Sequence, residues 1–213
     1  FMIAVPIMIQ NGITNFVNML DNIMIGQIGT ESMSGVSIVN QILFVYNLCI
    51  FGAVSGAGIF TAQYYGQQNT EGIRHTVRFK LWVGTAATLL AAGLCLVGGP
   101  SLISLYLKGE GTAESIRATL QSGGQYMGIM LVGLPFYMIT QVYASTLREC
   151  GKTVLPMKAG IAAILINLVL NYLLIYGKFG FPAWGVRGAA VATVCSRVAE
   201  TAIIIVATHR NPK

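Results

Sequence analysis

Charge is what this sequence has least of. Only 13 basic and 7 acidic residues stand among 213, 9% of the chain, against roughly 25% in soluble domains. That is too few to cover a globule, which excludes a water-soluble fold. Cysteine is also sparse. Cys49, Cys95, Cys150 and Cys195 are far apart, three of them inside apolar runs, which excludes a disulfide framework and a CxxC metal site. The two histidines, His75 in a predicted loop and His209 near the end, cannot make a His-based metal centre. HExxH, GxSxG and DDxxD motifs are missing, so the sequence predicts no enzyme and no cofactor. The net charge of +6 could suggest nucleic acid, but the basic residues fall between apolar runs. Membrane topology accounts for them better than a polyanion partner does.

The chain opens on Phe1 in mid-pattern, which predicts a missing N-terminal piece. The first apolar run is too long for a cleavable signal, and no A-x-A site follows it.

What the chain does have is apolar length. Hydrophobic residues make up 54%, and the mean hydropathy is +0.68. Crossing a bilayer takes about 20 apolar residues. Six runs qualify, approximately Met2–Ile28, Met33–Tyr64, Val77–Tyr106, Ile116–Leu147, Val154–Tyr176 and Ala183–Thr208. They are too long and too continuously apolar for the ~10-residue strands of a barrel. The fold class expected is an all-α integral membrane bundle of six transmembrane helices, with residues 1–213 as a single transmembrane lobe. Pro6, Pro135 and Pro156 should kink their spans. The small-residue pairs Gly52/Gly56 and Gly124/Gly128 mark candidate close helix contacts. With the N-terminus placed in the cytoplasm, Arg74, Arg78, Lys80, Arg148, Lys152, Lys158, Arg210 and Lys213 fall inside. Lys108, Arg117, Lys178 and Arg187 fall outside. That excess predicts both termini cytoplasmic. The loop 66–80 should meet lipid headgroups, and 108–114 should be a short exterior turn.

Polarity inside the spans is patterned. Gln10, Asn11, Thr14, Asn15, Asn18, Asp21 and Asn22 fall within an arc of about 140° on the first helix. Lipid cannot satisfy such a face, so it must look into a bundle or a wet cavity. Weaker stripes recur: Asn40 and Asn47 in span two; Tyr126, Tyr137, Thr140 and Gln141 in span four; Asn167 and Asn171 in span five. Thr193, Ser196, Arg197, Glu200 and Thr201 share a face of span six. The bland reading of each is interhelical hydrogen bonding, worth ~0.6 kcal/mol per contact on average.

Asp21 is the sole Asp in the chain. It sits about seven residues from the outer end of its run, roughly 10 Å deep by helical rise, too far for its short side chain to snorkel. An ionised Asp at a helix centre costs about 2.5–3.5 kcal/mol on insertion scales. A proton, or a cation with amide partners, would relieve that cost, which makes Asp21 a natural H⁺ or Na⁺ carrier. The other reading is a structural acid hydrogen-bonded to the asparagines. Arg197 and Glu200, three apart, can pair on one helix face. They form either a self-neutralising pair or a second ionisable site, with Arg197 facing an anionic substrate.

Four segments carry a resemblance. They are Asn18-Met-Leu-Asp21-Asn-Ile-Met-Ile-Gly26-Gln-Ile-Gly29 after Pro6, Gly58-Ile-Phe-Thr-Ala-Gln63-Tyr-Tyr-Gly66-Gln-Gln-Asn69, Asn167-Leu-Val-Leu-Asn171-Tyr-Leu-Leu-Ile-Tyr-Gly177, and Gly185-Val-Arg-Gly188-Ala-Ala-Val-Ala-Thr193. In order and spacing the chain resembles the multidrug and toxic compound extrusion (MATE) transporters, with bacterial members carrying DNIMIGQ most similar. The resemblance implies one lobe of a twelve-helix transporter, the N-terminal one, with the C-terminal lobe of the same chain absent and the two lobes related as parallel repeats. It implies a bacterial inner-membrane antiporter exporting amphipathic organic cations by alternating access, coupled to H⁺ or Na⁺. The implied cation site is Asp21, Asn167, Asn171 and Thr193, with Na⁺ a candidate ligand there. Some relatives have Asp where this chain has Asn171, so a two-acid relay is not expected. Asn18, Asn22, Asn40, Asn47, Tyr126, Tyr137 and Gln141 are candidate cavity-lining residues, with Met127 and Met138 beside the tyrosines as an apolar wall. Two rival readings stand: a lipid-linked oligosaccharide flippase of related architecture, and a non-transporting accessory half.

Overall fold

The computed structural model describes residues 4–107, 112–180 and 182–210, with the side chains at 4–7, 10, 11, 14, 15 and 18 outside the described set. The expectations placed on Pro6, on Asn18 and on most of the 108–114 turn lie outside the described residues. The chain is all helical there: α1 (Ala4–Gly26), α2 (Thr30–Gly66), α3 (Thr70–Tyr106), α4 (Ala113–Glu149), α5 (Val154–Tyr176) and α6 (Val186–Arg210). Five of them, α2 to α6, are long and apolar enough to cross a membrane. α1 is long enough too, but its amides and acid dilute its hydropathy.

The helix ends follow from local chemistry. The Asn69 side chain accepts from the Gly72 amide at 2.9 Å and opens α3. Thr112 does the same for Ser115 at 3.3 Å and opens α4. Each satisfies a backbone donor that the first turn leaves over. Glu71 and Glu114 stand in those first turns, where the helix dipole favours an acid. α5 ends on Gly177 in the left-handed region, φ 64°. The Asn69 cap corrects the expected loop 66–80: only Gln67–Asn69 connect α2 to α3, and the basic residues of that stretch lie on α3. Pro156 is corrected as well. It occupies the first turn of α5, where its missing N–H leaves no helical bond unmade. Pro135 is in the body of α4, as expected.

α4 is the hub, packing against α2, α3 and α6, while α5 packs on α6. α1 leans chiefly on α5 and touches α2 and α6 little. The core between α2 and α4 alternates branched and flexible side chains, with Val39, Ile50 and Val142 fully buried. Between membrane helices, close packing replaces the hydrophobic effect as the attractive force. Glycine sets the closest approach, but at other positions than Gly52/Gly56 or Gly124/Gly128, around which a Cβ would find open space. At Gly35 a Cβ would lie 2.8 Å from both the Gly123 nitrogen and the Thr119 carbonyl, so α2 meets α4 backbone to backbone. Gly188 meets the Leu174 carbonyl in the same way, at 2.5 Å, and seats α6 on α5.

One polar staple was not foreseen. Lys80 is buried and its Nζ donates to Glu149 Oε2 at 2.6 Å, with Ser145 and Thr146 hydroxyls at 3.3 and 3.4 Å. Lys80 is therefore not a free cytoplasmic charge, and the orientation count loses one member. The pair joins α3 to α4, and Gly58 on α2 gives the carboxylate its room, since a Cβ there would collide with Glu149.

Candidate cation site and cavity

Asn167 and Asn171, one turn apart on α5, present their amides on one face. Asn171 Nδ2 donates to Asp21 Oδ1 at 2.7 Å and to Asn167 Oδ1 at 3.2 Å. Asn167 Nδ2 donates in turn to Thr193 Oγ1 at 3.3 Å, and the Thr193 hydroxyl donates to the Ala189 carbonyl at 3.0 Å. The chain of bonds thus links α1, α5 and α6, and joins all four residues of the expected cation site. The orientation of Asn171 follows from its partner: a flipped amide would press its carbonyl against a carboxylate.

The cluster is rich in acceptors. Both N–H groups of Asn171 and the Thr193 hydroxyl are directed along the chain, while Asn171 Oδ1 is buried with no hydrogen-bond partner. The Asp21 carboxylate faces an amide, not a cation, and the salt bridge among the described residues is the distant Lys80–Glu149 pair. An unpartnered buried acceptor beside an unpaired carboxylate is a site short of one positive charge. Its donors are all oxygen: carboxylate, amide carbonyl and hydroxyl. That set suits a proton on Asp21 or a hard monovalent ion. No group of three His, Cys, Asp or Glu side chains able to hold a metal occurs among the described residues. α1 ends at Gly26, not Ile28, so Asp21 lies five residues from the helix end, about 7.5 Å by helical rise.

The cluster forms part of the wall of a cavity of about 520 Å³ between α1, α2, α4, α5 and α6. Asn22, Asn40, Asn47, Tyr126 and Tyr137 line it, as expected. Tyr126 donates to Asn40 Oδ1 at 3.3 Å, and Asn47 Oδ1 is buried without a partner. Gln141 is not in the lining, because the α4 wall ends at Tyr137. Met127 and Met138 are core residues instead, filling the hollows left by Gly99 and Gly84, and Met130 takes the cavity position. Arg197 and Glu200 both line the cavity but do not form an ion pair. Arg197 stacks on Tyr137 instead, 4.9 Å from the ring centroid. Thr140 and Thr201 bond to each other at 2.9 Å and tie α4 to α6, as the bland reading of their stripes had it.

Gly160 and Ala163 were missed. They stand on the Asn167/Asn171 face of α5 and keep that wall open. The signal was available, because residues 160, 163, 167 and 171 follow helical spacing. Tyr46 was missed too: its hydroxyl bonds the Thr88 hydroxyl at 2.9 Å and the Leu134 carbonyl at 3.2 Å, bracing α2, α3 and α4 behind the cavity.

Comparison with known proteins places this arrangement. The family model MatE matches residues 6–173. The chain is 31% identical over 202 residues to a probable multidrug resistance protein NorM of Thermotoga maritima, covering 95% of this chain and 42% of that protein. It is 29% identical over 206 residues to a probable multidrug resistance protein YoeA of Bacillus subtilis, again covering 95% and 42%. Its fold matches the outward-facing conformation of a multidrug resistance MATE family transporter of the MOP superfamily, with a TM-score of 0.79 and 23% identity over 95% of this chain and 43% of that one. The chain thus spans less than half the length of these relatives. With a family match over most of its length and the same helical architecture, the chain belongs to the MATE family of membrane transporters.

Proposed function

We propose that this chain is the N-terminal, six-span lobe of a twelve-helix antiporter, with both termini of the segment cytoplasmic, that exports amphipathic organic cations in exchange for H⁺ or Na⁺. The observation that carries the reading is the cluster short of one positive charge: among the described residues Asp21 is held only by Asn171, with Asn171 Oδ1 buried and unpartnered beside it. A cation arriving from outside neutralises Asp21, and its oxygen partners are already gathered from α1, α5 and α6. Coupling requires that the cation and the drug favour different states of the protein. Asp21 is the hinge of that difference, since it is α1's bond to α5 and α1 has few other neighbours. The names of the relatives, multidrug resistance proteins, support drug export. The flippase reading is disfavoured, because a pyrophosphate group needs several fixed cations and Arg197 is the one cationic side chain lining the cavity among the described residues.

The test is drug efflux from vesicles holding the full-length protein, under an imposed pH gradient or a Na⁺ gradient, with and without Asp21→Asn. Efflux should follow one gradient and disappear in the variant. Unchanged efflux under both gradients would remove Asp21 from the coupling mechanism.

A further inference from the structure

α3 adds nothing to the cavity wall, which the other five helices build, and it packs on α2 and α4 at the back of the lobe. Its far side carries a graded stripe. Arg74, Arg78, Trp82, Thr85, Leu89 and Gly93 follow at spacings of three or four, so they share one helix face, and all are exposed. The order runs from charge, through an aromatic ring, to hydrocarbon. The basic residues of this stretch are sorted by side. Lys80 turns inward to Glu149, whereas neither Arg74 nor Arg78 forms a salt bridge among the described residues, Glu71 in the first turn included. Trp82 is 77% exposed and Tyr106, near the other end of the helix, 56%. Their separation is about 36 Å by helical rise, which fits a hydrocarbon core of about 30 Å with an aromatic residue at each boundary. In that register Arg78 stands about 6 Å outside the hydrocarbon and Arg74 about 12 Å. The first is at phosphate level, and the second reaches it along its own stem. A surface groove of about 270 Å³ opens here, lined by Arg78, Leu81, Trp82 and Thr85. From Trp82 to Gly93, where a Cβ would find open space, the face runs about 16 Å, close to the ~15 Å of one leaflet.

We propose that this face of α3 is a binding site for one anionic phospholipid. The phosphodiester sits between the Arg74 and Arg78 guanidiniums, whose planar forks match phosphate oxygens. The glycerol and first methylenes fill the groove against Trp82, and an acyl chain lies along Leu89 to Gly93. A zwitterionic headgroup brings its own ammonium up to the same two arginines and forfeits part of the attraction. A phosphatidylglycerol headgroup adds no positive charge. A free phosphate would use the arginines and leave the groove and the indole without a partner. The site lies apart from the cation cluster and the cavity, so it does not depend on what the lobe transports.

The experiment uses full-length protein in phosphatidylcholine vesicles with rising fractions of a brominated lipid, which quenches tryptophan on contact. The brominated lipid is phosphatidylglycerol, phosphatidylethanolamine or phosphatidylcholine. Trp82 emission is taken as the difference from a Trp82→Phe variant, and the readout is the fraction giving half-maximal quenching. Brominated phosphatidylglycerol should reach it at about tenfold lower fraction than brominated phosphatidylcholine, the scale of two cations facing an anionic headgroup. Brominated phosphatidylethanolamine should behave like phosphatidylcholine. Arg74→Gln with Arg78→Gln should bring the ratio of the two fractions close to one. Lys152→Gln with Lys158→Gln, which removes the same charge from the α4–α5 side, should leave that ratio in place. Equal loss in both double variants overturns the site in favour of a diffuse surface attraction. It is overturned equally by a ratio near one in the unaltered protein, by a preference for phosphatidylethanolamine, by a ratio that survives loss of both arginines, or by a Trp82 that no lipid quenches, since protein then covers the face.

Discussion

Two half-buried carboxylates in this lobe are held in opposite ways. Glu149 has a cation of its own, the Lys80 ammonium at 2.6 Å, which also donates to two hydroxyls. Asp21 has an amide at 2.7 Å and, among the described residues, no cation. Both acids sit at helix–helix contacts, and both link elements distant in sequence. The difference is where the balancing charge comes from. Glu149 is neutralised by the fold itself, permanently. On the function proposed above, Asp21 is left for something that arrives and departs. The two acids thus differ less in burial than in whether the protein supplies the counter-charge.

That contrast can be broken at either end. The largest effect is expected from Lys80→Met, which strands the half-buried Glu149 without its counter-charge and should cost about 2–4 kcal/mol, seen as a large drop in thermal unfolding temperature in detergent. Adding Glu149→Leu to that variant should restore most of the loss, because an apolar pair of similar volume often replaces a buried ion pair at little cost. Next is Gly58→Ala: the new methyl pushes the Glu149 carboxylate off its partner and should cost about 1–3 kcal/mol. The smallest effect on stability is expected from Asp21→Asn. Removing a charge that the fold does not balance should change unfolding by less than ~1 kcal/mol in either direction, even as ion-driven efflux is lost. If Asp21→Asn unfolds the protein as readily as Lys80→Met, Asp21 is a second structural acid and the contrast disappears.

The sequence was most informative where polarity and lipid conflict. Six apolar runs mark the helices because hydrocarbon tolerates no unsatisfied backbone, and their ends came within a few residues except at α3. There the capping chemistry of Asn69 decided the boundary, and a basic amphipathic turn read as loop. The site was legible for a related reason: an acid and three polar residues in apolar helices must find one another. What stayed hidden was partner choice. Sequence spacing allowed Arg197 to meet Glu200 three residues away, yet the guanidinium took the Tyr137 face on α4. The staple was hidden likewise, since Lys80 and Glu149 are 69 positions apart and each reads as an ordinary helix-end charge. Small residues misled as well. Gly52/Gly56 has the spacing of a contact motif and faces open space, while Gly35, with no such partner in sequence, makes the tightest crossing with α4.

That crossing has a mechanical corollary. Where backbone lies on backbone, no side chain can change rotamer to let the helices slide or spread, so the α2–α4 side of the chamber has a set width. On the function proposed above, a bulkier guest is accommodated on the opposite side, by the helix with the fewest neighbours. The aspartate rides on that helix, so the girth of whatever is inside would register as strain on its amide tether.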